Sequence, residues 1–157
     1  MRSLSLKDVA EIIGIGAIVA SLLFLAFELQ QSNRIAVAST EIGIRNGYSE
    51  FNRGLYTSPD TAALMARARS ADVEWTDAEE LQALMVVTDI FNVWLSVQTA
   101  CENDLAEATT CAELGDDIRA FVGFFPGARA MFEFLLDSYP TLSDTVVHTT
   151  LRESLVE

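Results

Sequence analysis

Two cysteines come nearest, by type and spacing, to a recognisable chemistry. Cys101 and Cys111 bracket nine residues that include Glu102, Asp104 and Glu107. A disulfide closing that stretch would stabilise the fold by roughly 2–3 kcal/mol in an oxidising compartment, whereas a reducing one would keep both thiols free. A zinc site would need two further ligands, and His148 is the single histidine, so no metal is expected. His148 would need a nucleophile or carboxylate partner for catalysis, which spacing cannot show, and it reads as a surface or half-buried residue. Glu28 closes an apolar run, a position from which its carboxylate can still reach water, so it reads as an interface residue. Asp89 and Asn92 interrupt an apolar helix three residues apart. Ser96 and Thr99 continue their line, so the set reads as a solvent-facing stripe. No phosphate-cradling glycine loop, nucleophile elbow or carboxylate pair is present. Neither catalysis nor a cofactor is expected.

Aromatic residues offer a different kind of site. Trp94, Phe121, Phe125 and Phe132, with Phe124 and Phe134, supply rings for a helical core. The same rings can line an apolar pocket between helices, and that remains the alternative reading.

These residues need elements to position them. At 157 residues, half of them apolar, the chain has room for one domain with a real core. Three prolines and eight glycines favour long helices, and no alternating apolar–polar run persists long enough for a strand. The expected class is all-α.

Charge divides the chain. Residues 1–55 hold five basic and five acidic residues. Residues 56–157 hold five arginines against eighteen acids and so carry the whole net charge of −13. Phosphate binding needs Lys and Arg to displace counterions, so nucleic acid is excluded as a partner. The acidity itself reads as a solvated surface.

From Ile12 to Phe27 the sequence IIGIGAIVASLLFLAF runs sixteen residues without a charge. As a helix it is about 24 Å long, against a hydrocarbon thickness of ~30 Å. Val9, Ala10 and Leu29 extend it, and its flanking acids can reach the interface. It is apolar on every face, unlike a surface helix, and residues 1–30 are expected to form a transmembrane anchor. Ala-Val-Ala-Ser at 36–39 resembles a signal-peptidase site but lies too far beyond the apolar run, so the anchor is expected to stay uncleaved. Gly16 and Ala20, and Ala17 and Ser21, recur four apart, a spacing that lets two membrane helices approach and self-associate. Basic residues before the span (Arg2, Lys7) and after it (Arg34, Arg45) almost balance, leaning slightly to an inside N-terminus.

Residues 31–157 are expected to form an acidic helical bundle. Val37, Ile44, Tyr48, Phe51 and Leu55 make a stripe that carries one long helix from about 8 to 56. Ser58-Pro59 starts a short helix to about Ser70. Thr76 and Glu79 form a capping box for a core helix over 77–101, whose apolar face (Leu84, Val87, Phe91, Trp94, Leu95) Gln98 interrupts. A polar stretch follows to Gly115, then helices over roughly 112–124, from Pro126-Gly127 to Tyr139, and over 143–154.

The layout resembles a large uncharacterised bacterial family with one N-terminal transmembrane helix and a small C-terminal helical domain. The residues carrying the likeness are FELQQSNRIAVAS (27–39), SEFNRGLYTSPDTAALM (49–65) and PGARAMFEF (126–134). The resemblance implies an anchor and a bundle and brings no activity. The expected protein is a single-pass subunit of the bacterial inner membrane with a periplasmic domain, acting on a protein partner or as a homo-oligomer. A membrane-proximal carrier of an apolar ligand or lipid is the alternative.

Overall fold

The computed structural model describes residues 6–156; Arg2 and the first residues of the 1–30 anchor lie outside them. Six α-helices make up the fold among the described residues: α1 (Leu6–Thr57), α2 (Pro59–Arg67), α3 (Asp77–Glu102), α4 (Ala108–Phe124), α5 (Arg129–Ser138) and α6 (Val146–Ser154). Single 3₁₀ turns at Pro126–Ala128 and Pro140–Leu142 lead into α5 and towards α6. No strand occurs among the described residues.

α1 runs unbroken for 52 residues, about 78 Å at 1.5 Å per residue. The expected boundary at 30/31 is therefore a change of surroundings within one helix. α1 and α3 are both long and apolar enough to cross a membrane. They differ in burial: the most apolar window of α1 has no buried residue, whereas 39% of the corresponding window of α3 is buried in the bundle.

α3 is the axis of that bundle. Ala83, Val87, Ile90, Phe91, Trp94 and Val97 are all within 2% of complete burial. Apolar residues at three- and four-residue spacing put them on one broad face, while Asp89, Asn92, Ser96 and Thr99 remain exposed. The start of α3 is defined as its sequence indicates: the Thr76 hydroxyl accepts from Glu79 N, and the Glu79 carboxylate accepts from Thr76 N. Its end turns through Asp104, whose φ of 55° lets Leu105 N bond back to Ala100 O at 2.8 Å.

Two starts differ from the sequence expectation. α4 begins at Ala108 rather than 112, so Cys111 lies in its first turn and not in a loop. α6 begins at Val146 rather than 143, because a 3₁₀ turn occupies Pro140–Leu142 and Thr145 supplies the side-chain cap, accepting from His148 N at 3.3 Å.

The 126–134 segment carries one backbone constraint. Gly127 N donates to Ala68 O at 2.8 Å, and the Trp75 indole donates to Gly127 O at 3.2 Å, pinning the turn before α5 to the end of α2. A Cβ at 127 would lie 2.4 Å from Ser70 O and 2.5 Å from a Val73 methyl, too close to a backbone that cannot swing aside. Gly127→Ala is expected to destabilise the domain by about 1–3 kcal/mol in urea unfolding. Gly54→Ala, where nothing lies within 4 Å, should be neutral or stabilising by up to about 1 kcal/mol. Equal midpoints for the two variants would contradict the packing at 127.

Candidate functional site

The feature with the most polar structure is the junction where α1 enters the bundle. Its stripe of Val37, Ile44, Tyr48, Phe51 and Leu55 is buried or half-buried, and the seven-residue gap between Val37 and Ile44 is filled by Glu41. Only 8% of Glu41 is exposed. Its carboxylate accepts from Glu107 N at 2.9 Å and from the Thr110 hydroxyl at 3.1 Å. The first turn of α4 has no side-chain cap of its own. α1 therefore caps α4 from outside, placing a negative charge at a helix N-terminus where free N–H groups and the dipole favour it.

A second tie lies two turns further along α1. One carboxylate oxygen of Asp117 on α4 accepts from the Tyr48 hydroxyl at 2.9 Å and from the Trp94 indole N–H at 2.8 Å. The indole is completely buried, so its N–H needs such a partner. Three helices meet at that oxygen. Burial of the phenol, then the adjacent Asp117 charge, pushes the Tyr48 pKa above its usual value near 10.

Gln98, which interrupts the apolar face of α3, repeats the device. It is 6% exposed, accepts from Val147 N at 3.0 Å and donates to Glu102 at 2.8 Å. It thus satisfies an N–H in the first turn of α6.

Cys101 and Cys111 are bonded to each other, with Cα atoms 5.7 Å apart, joining the last turn of α3 to the first turn of α4. The bridge lies beside Thr110, one of the Glu41 partners, so both hold the same helix start.

The aromatic residues pack on one another. Trp94 and Phe132 stack at 5.9 Å, and Phe121 meets the edges or faces of Trp94, Phe132 and Phe125 at 5.6, 6.1 and 4.8 Å. These four rings occupy the space they were candidates to enclose. Open hollows lie elsewhere, one of about 500 Å³ beside His148, Asp137 and Arg152, another of about 290 Å³ between α3 and α5. His148, expected at or near the surface, is instead buried at 5% exposure, because it lies on the face of α6 that packs into the bundle beside Val147 and Leu151. Among the described residues no group of three His, Cys, Asp or Glu side chains converges as a metal site.

In the apolar half of α1, Gly16, Ala17, Ala20 and Ser21 are all exposed, and the Ser21 hydroxyl is satisfied within the helix by Ala17 O at 2.8 Å. Glu28 lies on the surface beside Leu25, Leu29 and Ser32. Neither group is brought near the junction.

Sequence reasoning missed Glu41 and Asp117 as junction residues. The signal for Glu41 was present as the vacant step in an otherwise regular three–four stripe. Asp117 had none, since its partners lie 69 and 23 residues away.

The chain matches no protein-family model, no curated protein and no solved structure. Its functional reading rests on its own geometry.

The Tyr48 tie has a pH signature. A raised phenol pKa means the native state holds its proton more tightly than the unfolded chain, so this stabilisation is present below pH 10 and is lost as pH rises through the native value. In a spectroscopic titration of the phenolates, one of the three tyrosines should stay protonated at about pH 11 until the domain unfolds. Asp117→Asn should lower the pH at which Tyr48 ionises, since the Asp117 charge contributes to the upward shift. A Tyr48 phenol that ionises near pH 10 in the folded protein would contradict the geometry.

Proposed function

We propose that this protein is a membrane-anchored helical subunit that acts through binding, with α1 holding an acidic domain at a fixed stand-off from the bilayer. The observation that carries the reading is the change of exposure along one helix. Ile12, Leu23 and Phe27 are 61, 68 and 63% exposed, while Ile44 on the same unbroken helix is 8% exposed. Large apolar side chains on every face of a helix are stable only against lipid or other apolar helices. The buried half needs the bundle.

The bonded Cys101 and Cys111 favour an oxidising surrounding for the domain, which on a bacterial inner membrane is the periplasmic side. The small faces at Gly16/Ala20 and Ala17/Ser21, free in the single chain, suit a second membrane helix, whether another copy or a partner subunit. Binding is favoured over catalysis because the polar groups of the junction satisfy helix ends or one another, and over carriage of an apolar ligand because the aromatic rings fill their own space.

The full chain should stay with the membrane fraction through alkaline carbonate extraction. In mild detergent it should run as a complex heavier than one 17.2 kDa chain, either as a homo-oligomer or with a co-purifying protein. Release by carbonate, or a lone monomer without a partner, would refute the reading.

A further inference from the structure

The hollow between the start of α3 and α5 has the character of a docking site. Leu81 and Phe134 are 60 and 55% exposed at its rim, half-buried Leu84 and buried Met131 form its floor, and Asp77 and Glu80 border it. Met85, one turn on from Leu81 and 51% exposed, extends the apolar surface along α3. Here the exposed apolar side chains are grouped around one hollow on neighbouring turns of two helices. A hollow of about 290 Å³ is below the size that encloses most small ligands, and suits one or two anchoring side chains.

The surroundings decide what those side chains belong to. The two ion pairs among the described residues, Arg67–Glu79 and Arg119–Asp116, leave Asp77 and Glu80 without a cation. Both sit in the first turn of α3, where the helix dipole stabilises them while they are free. A partner carrying Lys or Arg would complement them. A second copy would bring a net charge of −13 and set carboxylates against carboxylates.

Lipid cannot reach the hollow. Gly47 lies beside Val93, twenty residues past Phe27, and α3 runs antiparallel to α1, since Glu41, earlier on α1, meets Glu107, which follows the end of α3 and caps α4. Leu81 is twelve residues earlier on α3, which places it about 48 Å from the end of the apolar segment along the helix axes.

From these observations we infer that the α3–α5 hollow seats an amphipathic basic helix of another protein, its apolar side chains entering between Leu81 and Phe134 and its Lys or Arg residues facing Asp77 and Glu80. This is the helix-in-groove mode of recognition, and it rests on the anchored-subunit reading for the distance from the bilayer.

The test is a photoreactive side chain placed at Leu81, at Phe134 and, as a control, at exposed Ala112 on α4, in full-length protein in intact cells of its native source. Cross-links from 81 and 134 but not 112 are expected, to one protein. The cross-linked peptide, sequenced by mass spectrometry, should carry apolar residues three or four apart with Lys or Arg between them. Glu80→Lys should reduce the yield at least tenfold while the helical circular dichroism of the folded domain is retained. Cross-links to lipid, to a second copy or to an acidic peptide would overturn the assignment, as would silence at 81 and 134. A detergent complex that persists while 81 and 134 are silent overturns this site and leaves the anchored subunit standing; a lone monomer removes both.

Discussion

A polypeptide in an apolar medium has no water to bond to, so its N–H and C=O groups must satisfy one another along the chain. α1 meets that requirement with 52 residues of uninterrupted helix and then keeps going. Because it does not break where its apolar surface ends, the backbone that suits lipid also becomes the first wall of the bundle. Everything in the domain is referred to that wall: α3 lies against it, α2 folds back from its end, and α4 is both capped and tied by it.

Helix ends are the second half of the same problem. Each short helix begins with N–H groups that need acceptors, and neither α4 nor α6 meets the need entirely from its own sequence. The two long helices lend what is missing, α1 through Glu41 to α4, and α3 through Gln98 to α6. Each lender is a polar residue on an otherwise apolar face, where leaving it unpaired would cost about 1–3 kcal/mol or more. Each is tolerated because its acceptor atoms are used. Asp117 adds a third tie by satisfying the Trp94 indole and the Tyr48 hydroxyl at one oxygen. Polar side chains in this interior thus set which helix sits where, while the stacked rings of Trp94, Phe121 and Phe132 fill the volume.

Much of this is legible from the residues, and the limits are physical. The Thr76–Glu79 capping box and Ser58-Pro59 fix the starts of α3 and α2 locally, so sequence alone places them. The apolar run from Ile12 to Phe27 needs no neighbour to be recognised either. The start of α4 was misplaced because its cap belongs to α1, and no local pattern in Ala108–Cys111 announces it. Gly127 read as a helix opener, but its role is to let Ala68 and Ser70 of another segment come close, which depends on the packed fold. Phe134 looked like core by composition, yet with Leu81 it stands at the surface. Whether an aromatic residue is floor or rim is decided by the angle between helices, which periodicity does not carry.

The central claim is that α1 remains one rigid helix from the apolar segment into the bundle. Pulsed electron-spin distance measurement tests it directly, with spin labels on cysteines introduced at Leu25 and Arg53 in lipid nanodiscs. The native cysteines are bonded to each other, so only the introduced ones take label. A continuous helix predicts a single narrow distribution centred at about 42 Å. A broad distribution, or one centred well below that distance, would mean the helix bends or breaks between its apolar segment and the bundle and would contradict the account.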